Sequence, residues 1–245
     1  MTAEQLDETQ RPFDQMEDGD VVDRSKPSVR PKDAATLILV RRDGPKPRIL
    51  VGKRSNRHDF MPDKYVFPGG RVDPTDARAP AASELHETVE SDLTIRSRRK
   101  PRAFGLTAVR ETFEETGLII GQPRNIDSSG PQNWQPFLEQ RALPCLTHLQ
   151  FIGRAVTPPY RPKRFDARFF MAEAEQALID ERPAAVSPEL VDLRWIDFDE
   201  AEDMGLPGVT LHMVREARHR IEQPETEIRP AYLRYVSKGQ LITRL

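Results

Sequence analysis

The stretch Arg110-Glu111-Thr112-Phe113-Glu114-Glu115-Thr116-Gly117-Leu118 concentrates the side chains best suited to chemistry. On a helix, positions i, i+3 and i+4 share a face, so Glu111, Glu114 and Glu115 line one side. Like charges at that spacing weaken a helix by roughly a few tenths of a kcal/mol per pair. A divalent cation would relieve the repulsion, and an all-oxygen donor set suits a hard ion such as Mg²⁺ or Mn²⁺. Three glutamates on one helix, taken alone, read as a solvated acidic face. The surroundings reverse that reading: an arginine is adjacent, a glycine closes the helix, and Tyr65-Val66-Phe67-Pro68-Gly69-Gly70 lies upstream. Two adjacent glycines at the end of a short strand let backbone approach closely to whatever sits there.

These residues need elements to hold them. Ala103 to Thr116 reads as a helix with Phe104, Ala108, Val109 and Phe113 apolar, and Gly117 stands where a left-handed C-cap is wanted. ATLILVRR and RILVGKRS, separated by Asp43-Gly44-Pro45-Lys46-Pro47, predict a hairpin. Ala82 to Leu93 carries Leu85, Val89 and Leu93 at four-residue spacing and predicts a second amphipathic helix. That stripe reads as packing on its own domain, with a homodimer contact as the alternative. A basic loop follows, with Arg96, Arg98, Arg99, Lys100 and Arg102. Leu149 to Val156, Arg164 to Ala172 and Leu190 to Ile196 read as strands, and Leu211 to Glu222 as a late helix. The class is therefore α/β or α+β on a mixed sheet.

Composition narrows the function. Lys plus Arg is 37 against 39 Asp plus Glu, a net charge of −2, so no global field favours a nucleic-acid partner. No apolar run approaches the roughly 20 residues of a bilayer span. The acidic N-terminus lacks a basic n-region and an apolar h-region, which predicts a cytoplasmic protein. Cys145 is the single cysteine, which removes disulfide frameworks and thiolate zinc sites and leaves it a packing residue. Residues 1–33, rich in acids, Gln and Pro, predict a disordered leader; 34–222 form the domain, and 223–245 a C-terminal extension.

The residues resemble the Nudix hydrolase family, whose box is G-x5-E-x7-R-E-U-x-E-E-x-G-U with U apolar. Gly70 fits the opening glycine, and Arg110, Glu111, Glu114, Glu115, Gly117 and Leu118 fit the second half, with Thr112 at a usually bulkier aliphatic position. Two departures stand out. The first box glutamate falls on Asp76, and 33 residues rather than seven separate it from Arg110. The surplus corresponds to residues 77–102, a helical insertion that splits the box. Split boxes resemble the branch of peroxisomal coenzyme A diphosphatases, as do the strings Arg54-Ser55 and Arg164-Phe165-Asp166-Ala167-Arg168-Phe169-Phe170.

The resemblance implies an α/β/α sandwich and hydrolysis of a nucleoside diphosphate linked to another group, with coenzyme A or its thioesters leading. It implies Mg²⁺ or Mn²⁺ on Glu111, Glu114 and Glu115, with Glu115 also a candidate to orient or deprotonate the attacking water. Arg110 would pair with a box carboxylate, and Gly69 and Gly70 would keep the loop against the helix. By the resemblance, a further carboxylate from a late loop acts as general base or extra ligand in many members; Glu189 is the first choice here and Glu173 its competitor. Arg54, by its string, and His58, between the second strand and the glycine loop, are assigned to the substrate side. Nucleotide sugars, ADP-ribose and dinucleotides stay open as substrates. The rival classes are a noncatalytic sensor binding a nucleotide derivative, and an RNA-decapping enzyme using the basic loop.

Overall fold

Leu37, Ile38, Leu39 and Val40 are all fully buried, which a strand achieves only when both of its faces are covered. Each contributes roughly 1.5–3 kcal/mol by its burial. They lie on β1 (Lys32–Arg41), the middle of the sheet in a computed structural model that describes residues 27–56, 61–124, 129–159, 161–236 and 239–245. In chain order there follow β2 (Arg48–Arg54), β3 (Tyr65–Val66), β4 (Gly69–Arg71), α1 (Glu87–Thr94), α2 (Pro101–Thr116), β5 (Gly121–Pro123), α3 (Gln135–Leu138) and β6 (Ala142–Pro144). Then come β7 (Gln150–Val156), β8 (Phe165–Glu173), α4 (Ala174–Ala177), β9 (Leu190–Asp197), α5 (Phe198–Asp203), α6 (Gly208–Glu222), β10 (Ala231–Val236) and β11 (Gly239–Arg244).

Among the described residues nine strands make one mixed sheet, with the path β11-β10-β7-β8-β1-β2-β3. β1 runs parallel to β8, and β10 parallel to β7. β5 and β6 form a separate pair. The predicted hairpin forms, but β1 and β2 pair only at Val40–Ile49 and Arg41–Arg48 before they part. β4 joins β1 at Ala34 to Thr36, and β3 joins β2 at Gly52 and Lys53, so the two short strands fill the fork. β9 covers the other edge of β2. This fork sets the Gly69-Gly70 backbone in the middle of the sheet rather than on a surface loop.

Alternation along β1 divides the core. Ala35, Leu37 and Leu39 pack with Phe104, Leu106 and Val109 of α2, while Ile38 and Val40 pack with Met213, Val214 and Ala217 of α6. The result is the expected sandwich of helices on both faces of a mixed sheet. Leu85, Val89 and Leu93 join the α2 layer, so the stripe is core, and buried Cys145 is a packing residue.

Two boundaries and the setting of the basic loop differ from expectation. α1 begins at Glu87, not Ala82, because the Ser83 hydroxyl takes the N–H groups of Leu146 and Thr147 and His86 caps the helix at Thr88 N–H. Residues 223–245 are no appendage, since β10 and β11 complete the sheet; the strand that β10 pairs with lies far back in the chain, which no local pattern reveals. The basic loop is partly committed inward: Arg99 pairs with Asp33 at 2.9 Å and Arg102 with Glu84 at 2.8 Å, while the loop's Ile95 and Arg96 carbonyls accept from Arg154. Of the predicted leader, residues 1–26 lie outside the described residues. Among the described residues no helix is long and apolar enough to cross a membrane.

Candidate active site

The helix that carries the glutamates is built to be buried. Pro101 opens α2 where its missing N–H costs nothing, and Gly117 closes it at φ 71°, with its N–H on the Phe113 carbonyl at 2.8 Å. Thr112 and Thr116, poor interior helix formers, turn their hydroxyls onto carbonyls one turn back at 2.7 and 2.6 Å, and the Thr107 hydroxyl shares its one proton between the Ala103 carbonyl and Asp76, both at 2.7 Å. Arg110, Thr112, Glu115 and Thr116 are all buried, so the chemistry-bearing turn faces the protein rather than open solvent.

It faces the fork. Gly69 N–H donates to Glu115 Oε2 at 2.8 Å. A Cβ on Gly70 would fall 2.7 Å from Glu111 Oε1 and closer still to Cδ and Oε2, so the absence of a side chain there makes room for the carboxylate. The two glycines therefore back the two inward glutamates one to one. Glu114, expected on the same side, keeps 41% of its side chain exposed and pairs with Arg110.

The split in the box closes in space. Arg110 meets Asp76 through Nε at 2.9 Å and Nη2 at 3.0 Å, a bidentate pair across the whole insertion. Arg110 Nη1 then reaches Glu111 Oε1 and Glu114 Oε2, both at 2.9 Å. Asp76 is fully buried and also accepts from Thr107 Oγ1 at 2.7 Å, Asp73 N–H at 2.9 Å, Trp134 Nε1 at 3.0 Å and Asn133 Nδ2 at 3.3 Å. Burial alone would disfavour the Arg110 charge, yet Asp76, Glu111 and Glu114 hold its pKa above the usual value.

The inward glutamates are in a different electrostatic state. Burial pushes Glu115 up to about 8, with Glu111 and Glu189 adding to the rise and the Gly69 N–H and Arg54 opposing it. Burial likewise raises Glu111 to about 7, partly offset by Arg110 and reinforced by Glu114 and Glu189. Glu114 is raised in the same direction, again with burial first. Burial thus holds both inward carboxyls toward their neutral form, and the donors gathered here are carboxylate oxygens, which is the chemistry a hard divalent cation fits. Among the described residues no closed cluster of three His, Cys, Asp or Glu side chains stands ready around one point.

The remaining candidates separate. Glu189, just before β9, acts electrostatically on Glu111, Glu114 and Glu115, and its carbonyl accepts from Ser55 N–H at 2.9 Å. Arg54 ends β2 at a register shift against β9, opposite Leu190, and acts on Glu115 from there. Glu173 lies at the far end of β8 in contact with Arg42 at 3.0 Å and Gln176 at 2.8 Å, and it has no part in the shifts of the three glutamates. His58 lies outside the described residues. Asn133 and Thr107 escape sequence reading as site residues, and Trp134 reads from sequence as core or as a base-stacking aromatic, with nothing local to link it to Asp76. The one usable signal was the short carboxylate at a glutamate position, which calls for additional donors.

No family model matches the chain. It is 27% identical over 190 residues to putative nudix hydrolase 7 of Caenorhabditis elegans, covering 72% of this chain and 55% of that protein. It is 24% identical over 207 residues to the acyl-coenzyme A diphosphatase NUDT19 of Xenopus laevis, covering 62% and 53%. The chain thus spans about half the length of these curated relatives. Among solved structures, the NUDIX hydrolase from Alicyclobacillus acidocaldarius superposes with a TM-score of 0.56 at 28% identity, over 76% of this chain and 90% of that one. With β4 and α2 uniting the two halves of the box, the chain is, in sequence and in fold, a homologue of the Nudix hydrolases.

Proposed function

We propose that this chain is a Nudix-type diphosphatase that hydrolyses the phosphoanhydride of a nucleoside diphosphate linked to another moiety, with coenzyme A or an acyl-coenzyme A as the favoured small-molecule substrate. The observation that carries the reading is the pairing of two inward-facing glutamates, Glu111 and Glu115, with the Gly70 and Gly69 backbone. Substrate preference draws on the relative named an acyl-coenzyme A diphosphatase and on the split box.

In this reading Glu111, Glu114 and Glu115 hold Mg²⁺ or Mn²⁺, which supplies charge neutralisation to the phosphate oxygens when bound. Arg110 fixes the rotamers of Glu111 and Glu114 with its planar fork, itself fixed by Asp76. Glu115 or Glu189 orients the attacking water and takes its proton as the water oxygen bonds to phosphorus. The P–O bond of the bridge breaks, its electron pair stays with the leaving phosphate, and two phosphorylated products result. Arg54 supplies positive charge at the rim, where an anionic substrate enters.

The test is product release from coenzyme A, acyl-coenzyme A, ADP-ribose, nucleotide sugars and dinucleotides with Mg²⁺ or Mn²⁺. Metal-dependent turnover that Glu115→Gln abolishes is the expected result. Silence of the wild type on all of them, with tight binding of any, would replace the hydrolase by a sensor.

A further inference from the structure

We propose that Trp134, which touches no reacting group, is a positioning residue for this site: through Asp76 it fixes Arg110, and through Arg110 the carboxylates of Glu111 and Glu114. The inference rests on the reading of the site as a diphosphatase.

An aspartate is one methylene shorter than the glutamate it stands for, so its carboxylate has to be brought to the arginine by its surroundings. Asp76 sits in a 3-10 turn (Asp76–Arg78), and its oxygens collect six donors, three on each. Oδ2 is held by the local Asp73 N–H, by Thr107 of α2 and by Arg110 Nη2. Oδ1 is held by Arg110 Nε and by two consecutive residues of a distant segment, Asn133 and Trp134. Removing the distant pair leaves Oδ1 with Arg110 alone, and the carboxylate's terminal torsion, whose energy well is broad, is then set by Arg110 and the two other donors on Oδ2. The bidentate geometry that aims Nη1 at Glu111 and Glu114 depends on that torsion.

The distant segment is itself rigid. Trp134 is fully buried and ends a 3-10 turn (Gln132–Trp134) closed by its own N–H on the Pro131 carbonyl at 2.9 Å. Asn133 Oδ1 accepts from Thr75 Oγ1 at 2.9 Å, which ties the segment to the loop between Gly70 and Asp76. Phe137 meets Trp134 edge to face at 5.5 Å and Phe113 at 5.3 Å. Phe113 stands between Glu111 and Glu114 on α2, so the same segment braces the glutamate turn by a second route. An indole N–H can only donate, and any buried carbonyl would satisfy it. Here it is spent on the carboxylate that controls the arginine.

The experiment compares Trp134→Phe, which keeps an aromatic ring and removes the N–H, with Val214→Ala, a core change in the opposite layer. For each, kcat and KM on the best substrate are measured, together with Mn²⁺ affinity by calorimetry and Tm. Trp134→Phe is expected to lower kcat about tenfold and weaken Mn²⁺ binding by a similar factor, the scale for groups that orient metal-binding side chains, with KM changing by less than about twofold. Val214→Ala is expected to lose Tm while keeping kcat and Mn²⁺ affinity. Trp134→Phe with kcat and Mn²⁺ affinity within about twofold of wild type overturns the proposal, as does an equal loss in Val214→Ala. If Trp134→Phe fails to fold, Asn133→Ala takes its place, with an expected loss of about threefold and the same criterion. A wild type that binds Mn²⁺ without turnover defeats the diphosphatase reading alone, and calorimetry still decides on Trp134. A wild type that binds no Mn²⁺ overturns both.

Discussion

Asp76 and Glu115 are both buried carboxylates beside α2, and they are supported in opposite ways. Asp76 has no solvent exposure and six hydrogen-bond donors, two of them from a guanidinium. Glu115 is 4% exposed, accepts the Gly69 N–H, and has like charges at Glu111 and Glu189 acting on it. Saturation makes the first a structural anchor, whose charge is matched inside the protein. Burial with a single backbone donor raises the second toward its neutral form, and a bound cation would favour its ionised form. Burial is therefore no guide to which carboxylate does chemistry; the balance of donors and charge around it is.

The largest test of this contrast exchanges the two losses. Asp76→Ala leaves Arg110 buried without its bidentate partner, and truncating one side of such a pair costs about 3–5 kcal/mol. Its Tm is expected to fall steeply, and Mn²⁺ is expected to restore little of it. Glu115→Gln is expected to abolish turnover while leaving Tm above pH 8 equal to or higher than that of the metal-free wild type, because a neutral amide is easier to bury than the carboxylate present there. Thermal melts of both variants with and without Mn²⁺ check the pair. If Glu115→Gln proved the less stable of the two, the distinction would be wrong.

The pH dependence of stability follows from the same difference. Glu111 and Glu115 titrate near 7 and 8 in the folded protein against about 4.5 when unfolded, so between these values the folded state binds more protons. Their contribution is full below pH 4.5 or so and is lost as pH rises toward 8, and the metal-free protein is expected to become less stable over that window. Glu115→Gln should flatten the decline. Mn²⁺, which binds the deprotonated carboxylates, should reverse its sign. Urea titrations at four or five pH values distinguish the three curves.

How much of this was legible in the sequence follows the range of the interactions. α2, its proline start, its glycine cap and the strands with regular apolar patterns are local, and their boundaries came within a few residues. The fork that carries Gly69 and Gly70 was half legible: the glycines announced a close approach, but β1 and β2 part after two residue pairs for reasons of sheet geometry. Trp134 reaches Asp76 across 58 residues, and β10 pairs with β7 across a longer interval still, so neither left a periodic trace. The start of α1 was misread because Ser83 and His86 spend their side chains on backbone groups, which competes with helix while leaving the apolar spacing intact.

Glu189 and Glu173, which sequence alone could not rank, extend the contrast to the water-activating role. Glu189 shares the field of the three box glutamates, whereas Glu173 is compensated by Arg42 and Gln176. A positioned general base contributes about 10²–10⁴-fold, so Glu189→Gln should lower kcat by about 10² if it takes the proton. Glu173→Gln should leave kcat within about twofold, as expected of a surface substitution away from the site. Steady-state kinetics at saturating Mn²⁺ decide, and a larger loss in Glu173→Gln would reassign the base.

Gly70→Ala is the smallest change with a definite expectation, and it separates site geometry from stability most cleanly. The added methyl would overlap the Glu111 carboxylate and meets no backbone there at that distance. Because the obstacle is the end of a flexible side chain, relief comes by moving Glu111, and the cost in stability should stay at or below about 1 kcal/mol. The carboxylate is displaced from its place beside Gly70, so Mn²⁺ affinity should fall about tenfold, the scale on which misplaced ligand support acts. Calorimetry and a thermal melt on the same preparation read both. A large loss of Tm with Mn²⁺ affinity unchanged would mean that Gly70 serves the sheet and not Glu111.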